Sequence, residues 1–160
     1  MPTGPGNGTG FSFDGVAPYF SQGVFIDRAN PTTIASGIEA RMIEAEAALR
    51  TNDVTTFLAK LNDARATKTG LAPLTDPGTQ DERVSLLFRE RAFWMFGTGH
   101  RLGDMRRLVR QYNRTSTSVF PTGNYHKDSL IRGNQASVRV SIDELNNPSY
   151  DASQCDPTKA

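Results

Sequence analysis

Hydrophobic residues recur at helical spacing through the middle of the chain, between two ends that are rich in Gly and Pro. In residues 33–50 the spacing predicts one face of a helix, made of Ile34, Ile38, Met42, Ala45 and Leu49. Residues 54–68 repeat the pattern, with a predicted buried face of Phe57, Leu58, Leu61 and Ala64. The chain therefore begins its ordered part with two amphipathic helices in close succession.

A very short connection, Thr51-Asn52-Asp53, joins these two helices, which favours an antiparallel αα-hairpin. Asp53 is expected to cap the second helix, because its carboxylate can accept hydrogen bonds from free first-turn amides. Gly70 is expected to end that helix in a left-handed conformation. Small residues should let the two axes approach closely, namely Ala45, Ala47, Ala48 and Ala59. The glutamates of the first helix should lie away from its apolar face, namely Glu39, Glu44 and Glu46.

A second pair of helices is predicted over residues 80–96 and 101–112, separated by Gly97-Thr98-Gly99. Thr79 or Asp81 can cap the first of them. Its predicted apolar face consists of Val84, Leu87, Phe88, Ala92, Met95 and Phe96. The apolar face of the second helix consists of Leu102, Met105, Leu108, Val109 and Tyr112. Its basic side consists of Arg106, Arg107 and Arg110.

Both ends of the chain lack this helical period. We interpret residues 1–31 as a flexible or irregular segment, residues 32–113 as the helical-hairpin core, and residues 114–160 as an irregular segment packed on the helices.

The irregular ends are expected to contain little regular structure. Short strands are predicted at residues 23–26 and at residues 137–142, the second because its residues alternate. Residues 114–118 are predicted to form a polar loop, and residues 143–145 a single helical turn.

Composition narrows the classes of protein to which the chain can belong. Its 160 residues are the usual size of one domain, and 18 basic against 17 acidic residues give a net charge of +1. This balance gives no general attraction to nucleic acid or to an anionic membrane. Cys155 is the single cysteine, so an intrachain disulfide and a cysteine-based metal site are excluded. The opening MPTGPGNGTG has no secretory-signal pattern, so export would imply that the chain is a mature or incomplete form.

Three segments carry an ordered series of motifs. ARMIEAEAALRTND has an Ala-Glu-Ala run before a short turn, and LNDARATKTGLAPLT has Asn-x-x-Arg followed by Gly-Leu-x-x-Leu. LLFRERAFWMFGTGHRLGDMRRL contains Arg89-Glu90-Arg91, Gly99-His100-Arg101, Asp104 and Arg106-Arg107. Phe120-Pro121 and Glu144-Leu145-Asn146-Asn147-Pro148 follow. Together, over residues 33–150, they resemble the C-terminal part of SusD/RagB-family outer-membrane nutrient-binding lipoproteins. Phe93-Trp94 stand where that family usually has Glu-Leu.

The resemblance implies a mainly α fold, with two tetratricopeptide-like helical hairpins, irregular termini and minor β structure. It also implies a protein without catalytic activity and without cofactors or metals. Proteins of that family sit on the exterior face of the bacterial outer membrane, where they capture glycans, or in some members peptides. They work as a lid on a SusC-like TonB-dependent transporter, and their helical hairpins scaffold the binding loops.

The densest polar cluster lies around the Gly-Thr-Gly break and consists of Arg89, Glu90, Arg91, His100, Arg101, Asp104 and Arg107. A catalytic interpretation makes Glu90 or Asp104 an acid/base, with His100 as proton shuttle. A structural interpretation has these charges clamp two consecutive helices, with Arg101 pairing with Asp104 three residues later. We favour the structural interpretation, because no nucleophile or phosphate-binding loop accompanies the cluster.

Other chemical motifs are weak. The two histidines, His100 and His126, have no ligand spacing typical of a metal site. The basic run RLGDMRRLVRQYNR could bind the phosphates of a nucleic acid. At a net charge of +1, a solvated or covered helix face is the better explanation, so no nucleic-acid partner is expected.

Aromatic residues are the candidates for sugar stacking, because the C–H face of a sugar packs well on a ring. Phe88, Phe93, Trp94 and Phe96 lie close together. Phe88 and Phe96 belong to the predicted apolar face, whereas Phe93 and Trp94 point away from it, where one of them could meet the chain ends or a partner. Core packing is still the favoured interpretation for the group. The candidates for sugar stacking are therefore five loop aromatics, Phe11, Phe13, Tyr19, Phe20 and Tyr125, of which the last four are the candidate ligand residues.

Two alternatives to nutrient capture stay open. One is a generic helical-hairpin module for protein–protein interaction or self-assembly, and the other is a small enzyme built on Glu90, His100 and Asp104. Self-association is also expected if an apolar helix face is left uncovered.

Overall fold

The computed structural model describes residues 23–25, 27–124, 131–133, 135–138, 140–153 and 156–160. The chain folds as two compact units, which divide between Thr98 and Gly99. The fold is mainly α, as the hydrophobic pattern predicts.

In its described residues the first unit contains three helices, α1 (Gly37–Arg50), α2 (Val54–Ala66) and α3 (Gln80–Trp94). The second contains α4 (Arg101–Tyr112), the single-turn helix α5 (Ser116–Val119) and a 3₁₀-helix (Ile142–Asn146). The predicted bounds of α4 are confirmed. In the structure, α4 belongs to the same unit as residues 114–160, whereas the sequence grouped it with the other helices.

The turn between α1 and α2 forms the predicted helical hairpin. Asn52 has a φ of 58°, and its N–H donates to the Leu49 carbonyl at 3.2 Å, while the Asp53 N–H donates to the Ala48 carbonyl at 2.9 Å. This bond pair is a Schellman motif, which satisfies carbonyls at the end of α1. The Asp53 carboxylate then accepts the Thr56 N–H at 3.0 Å and caps α2, as predicted.

The core of the first unit lies between α1, α2 and α3, and α1 packs against both of the others. Most predicted face residues are buried there, including Met42, Ala45, Leu49, Phe57, Leu61, Ala64, Val84, Leu87 and Phe88. Leu86 is buried as well, which the pattern did not predict. The start of α3 is fixed to the end of α1, because the Gln80 side-chain amide donates to the Leu49 carbonyl at 3.0 Å.

The predicted start of α1 was wrong. The helix begins at Gly37, because the Ser36 hydroxyl caps it by accepting the Glu39 N–H at 3.0 Å. Ile34 therefore precedes the helix and is 97% exposed.

Two further details of the hairpin differ from the prediction. Glu46 is buried rather than turned away from the apolar face. Ala47 and Ala59 are exposed, so the small residues buried on α1 are Ala45 and Ala48.

The predicted ends of α3 and α2 also need small corrections. A capping box between Thr79 and Glu82 starts α3, which confirms Thr79 as the cap. The helix ends at Trp94, so Phe96 falls beyond it and is exposed instead of extending the apolar face. Gly70 has the expected positive φ of 86°, but α2 already ends at Ala66.

The second unit has less regular structure, and it places a helix where the sequence predicted a loop. Residues 116–119 form α5, while the predicted single turn at residues 143–145 lies within the 3₁₀-helix. Neither predicted strand forms among the described residues of 23–26 and 137–142. Ala136 and Ser137 instead donate their N–H groups to the Pro157 carbonyl, at 2.7 and 3.1 Å, which ties this segment to the C-terminal residues.

Candidate ligand-binding cavity

The predicted ligand residues Phe13, Tyr19, Phe20 and Tyr125 lie outside the described part of the chain. A different group of aromatic residues lines a cavity in the structure. This cavity of about 560 Å³ opens in the first unit, and Phe93, Trp94 and Phe96 line it. This volume lies in the range of small-molecule sites.

The aromatic wall of the cavity comes from the end of α3. Phe93 is 66% exposed and Phe96 is 58% exposed, while Trp94 is half-buried. Core packing was the favoured interpretation for these residues, and it was wrong for Phe93 and Phe96. Phe96 is exposed because the helix ends at Trp94, after which the chain turns through Gly97 with a φ of 75°. Phe93 is still helical, but it does not belong to the apolar face of α3. Phe88, two turns earlier, is buried as predicted.

The cavity lining includes an ion pair between a buried carboxylate, Glu90, and a half-buried guanidinium, Arg65. Glu90 is only 3% exposed, and both its carboxylate oxygens accept from Arg65 Nη1, at 3.0 and 3.1 Å. The indole Nε1–H of Trp94 donates to Glu90 Oε2 at 3.2 Å. The pair therefore fixes one aromatic ring of the cavity wall from behind.

Arg65 also ties the loop of residues 70–79 to α2. Its Nε–H donates to the Ala72 carbonyl at 2.7 Å. One turn earlier, the Asn62 amide donates to the Leu74 carbonyl at 3.1 Å and accepts the Leu74 N–H at 2.7 Å. The Asn-x-x-Arg motif of the sequence thus anchors the Gly-Leu-x-x-Leu motif that follows it.

The far end of the same loop is held by α3. Arg83 donates to both carboxylate oxygens of Asp76, each at 2.7 Å, and to the Gly78 carbonyl at 3.0 Å. The Arg83 guanidinium and the Gly78 N–H lower the pKa of the Asp76 carboxyl below its usual value. The loop is therefore attached to α2 near its start and to α3 at its end.

The predicted polar cluster divides between the two units. In the first unit, Arg89 is exposed, with its guanidinium 3.9 Å from Glu90, and Arg91 is buried.

In the second unit, Asp104 is buried and accepts from Arg107 at 2.8 Å, on the same helix face. Arg101, which the sequence paired with Asp104, is exposed. His100 stands at the N-terminal end of α4, where its carbonyl accepts the Asp104 N–H at 2.9 Å.

The Glu90 carboxylate accepts three hydrogen bonds from protein groups, at 3.0, 3.1 and 3.2 Å, so most of its acceptor capacity is used within the protein. Within the described ranges, no three His, Cys, Asp or Glu side chains come together as a metal site would need.

Sequence reasoning gave no ligand-binding role to the residues that line the cavity, among them Arg65, Lys68, Phe93, Trp94 and Phe96. Arg65 stands in the Asn-x-x-Arg motif, which is the signal that could have drawn attention to it. Its partner Glu90 lies 25 residues away, so no local pattern could pair them.

Comparisons of the chain with protein-family models, with curated proteins and with solved structures found no match. In the part of the chain that the structure describes, every helix is too short or too polar to cross a membrane.

Proposed function

We propose that the chain is the C-terminal scaffold of a non-catalytic nutrient-capture protein, which holds a glycan or a peptide for an outer-membrane TonB-dependent transporter. The observation that carries this proposal is the open cavity with Phe93, Trp94 and Phe96 along its wall. Exposed aromatic rings next to polar groups are a common arrangement in sites that bind without reacting.

The hydrogen bonds of Glu90 support the absence of catalysis. An acid or base must reach the ligand with a free proton or lone pair. Glu90 instead orients Trp94 and neutralises Arg65, at distances of 3.0 to 3.2 Å.

The positions of the motif residues support the family resemblance on which the proposal also rests. Asn62 and Arg65 belong to one motif and Glu90 to another. Asn62 bonds to Leu74, while Arg65 bonds to both Ala72 and Glu90, so hydrogen bonds join the first motif to the loop that follows it and to the second motif. A shared structural role gives a physical reason for these motifs to occur together and in this order.

Ligand capture can be tested by fluorescence, because Trp94 is the single tryptophan of the chain. We expect a saturable change in its emission when oligosaccharides or short peptides are added. Phe93→Ala should weaken the binding about threefold to tenfold, since it removes an exposed stacking surface. Chromatography after long incubation should recover the ligand unchanged.

The control for this titration is Ile43→Ala, which alters another exposed apolar residue that does not line the cavity. It should bind like the unaltered chain. If the unaltered chain converts the ligand chemically and Glu90→Gln abolishes this conversion, the result would favour an enzyme. A lack of emission change with any glycan or peptide, in a folded chain, would contradict capture.

The transporter partner and the location on the outer membrane are part of the same proposal. A TonB-dependent receptor gene next to the gene for this chain would support them, as would co-purification of the two proteins from outer membranes. A genomic neighbourhood of unrelated genes, without co-purification, would count against this part while leaving the cavity's binding role to the fluorescence test.

A further inference from the structure

The charged side chains around the cavity are unequal in sign. Among the described residues that line it, Arg65, Lys68 and Arg89 stand against one carboxylate, that of Glu90. Glu90 neutralises Arg65 through two bonds of 3.0 and 3.1 Å, and its distance to Arg89 is longer, at 3.9 Å.

Two cations therefore remain available to a ligand. Arg89 is 58% exposed, and the Lys68 ammonium has no acidic partner among the described residues. Both stand around the same cavity as the exposed Phe93 and Phe96 rings. Guanidinium and ammonium groups bind carboxylate and sulfate oxygens, while the rings offer a surface for an apolar face.

We propose that the cavity selects anionic oligosaccharides, with the acid group of the sugar on Lys68 and Arg89 and a sugar face against Phe93 or Phe96. This inference rests on the proposed capture of a glycan and names its chemical class. Charge complementarity favours an acidic occupant, because an anionic group can pair with Lys68 and Arg89 and a neutral sugar cannot.

The class can be tested with two probes that share one ring skeleton. Trigalacturonic acid carries three carboxylates, and its full methyl ester carries none. In Trp94 fluorescence titrations we expect the acid to bind at least about tenfold more tightly at low salt, with the preference shrinking as salt is added. A sulfated neutral-backbone trisaccharide, used as a third probe, separates carboxylate recognition from a general preference for anions.

Matched variants locate the preference. Lys68→Gln should reduce the ratio of acid to ester affinity about twofold to fivefold, as for loss of one exposed charge contact. Lys60→Gln is the control, because Lys60 pairs with Glu44 at 3.0 Å and does not line the cavity. Circular dichroism should show both variants to be folded.

The outcomes separate this inference from the proposed function. Equal affinity for the acid and the ester overturns anionic selectivity. So does a ratio of acid to ester affinity that Lys60→Gln changes and Lys68→Gln leaves unchanged. In both cases the proposed capture of a ligand stands. Binding of peptides alone overturns the glycan class and leaves capture intact. Failure of every glycan and peptide to bind the folded chain overturns both.

Discussion

At the scale of single residues, the decisive contact is the ion pair of the buried Glu90 with the half-buried Arg65. Without Arg65, the Glu90 carboxylate would be left buried with its charge uncompensated. The pair also holds the Trp94 indole and, through Arg65, the Ala72 carbonyl. One carboxylate thus connects α3, α2 and the loop of residues 70–79.

We predict that Glu90→Gln lowers the free energy of unfolding by about 1 to 3 kcal/mol, because hydrogen bonds to a charged group become neutral ones. Urea denaturation followed by circular dichroism measures this. The neighbouring Arg89→Gln is the control and should change stability by less than about 0.5 kcal/mol, since Arg89 is exposed. Equal effects of the two variants would mean that the ion pair adds no stability.

At the scale of secondary-structure elements, the caps decide where helices begin. Asp53 accepts the Thr56 N–H, and this bond lowers the pKa of its carboxyl below the usual 3.8. A lowered folded-state pKa stabilises the folded chain above the unfolded-state value. That contribution is lost as the pH falls through the folded-state pKa.

We therefore predict a pH-dependent effect of Asp53→Ala. At neutral pH the variant should melt at a lower temperature than the unaltered chain, because α2 loses its cap. The difference should shrink below the usual aspartate pKa of 3.8 and reach a smaller, constant value in strong acid, where Asp53 is protonated and offers only an uncharged acceptor. Thermal unfolding by circular dichroism across this range measures it. Asp53→Asn, which keeps an acceptor without a charge, should retain more stability at neutral pH than the alanine variant, and a pH-independent difference would contradict the prediction.

The local signals explain how much of the elements could be predicted. Capping side chains such as Asp53 and Thr79 bond to backbone groups within three residues, so they can be recognised in the sequence. The start of α1 was misjudged because the apolar pattern extends back to Ile34, beyond the cap at Ser36. The end of α3 was misjudged because Phe96 also fits the pattern, although the helix stops at Trp94.

The site was less predictable than the helices, because it depends on contacts between distant residues. Glu90 and Arg65 are 25 residues apart, and Asn62 and Leu74 are 12 apart. A hydrophobic period reports which side of a helix is buried, but it does not report which polar side chains meet.

At the scale of the whole molecule, exposed apolar side chains occur in both units. The second unit exposes Ile142 and Leu145 three residues apart on its 3₁₀-helix, where side chains at this spacing lie on the same side. The first unit exposes Phe93 and Phe96. Apolar surface of this kind favours contact with a partner or with another copy of the chain.

We predict that the chain self-associates as its concentration rises, and that Ile142→Ser combined with Leu145→Ser weakens the association. Sedimentation velocity over a wide concentration range measures both. Ile34→Ser is the control, since it removes an exposed apolar side chain from the first unit. A single monomeric species at every concentration would contradict the prediction.

The turn between α1 and α2 has a consequence for how the chain tolerates insertions. Asp53 finishes one helix with its N–H and starts the next with its carboxylate, so the connection has no spare residue. One added glycine at this point would force the chain to give up one of the two roles. Added length should therefore be accepted far more easily between other elements than inside this hairpin.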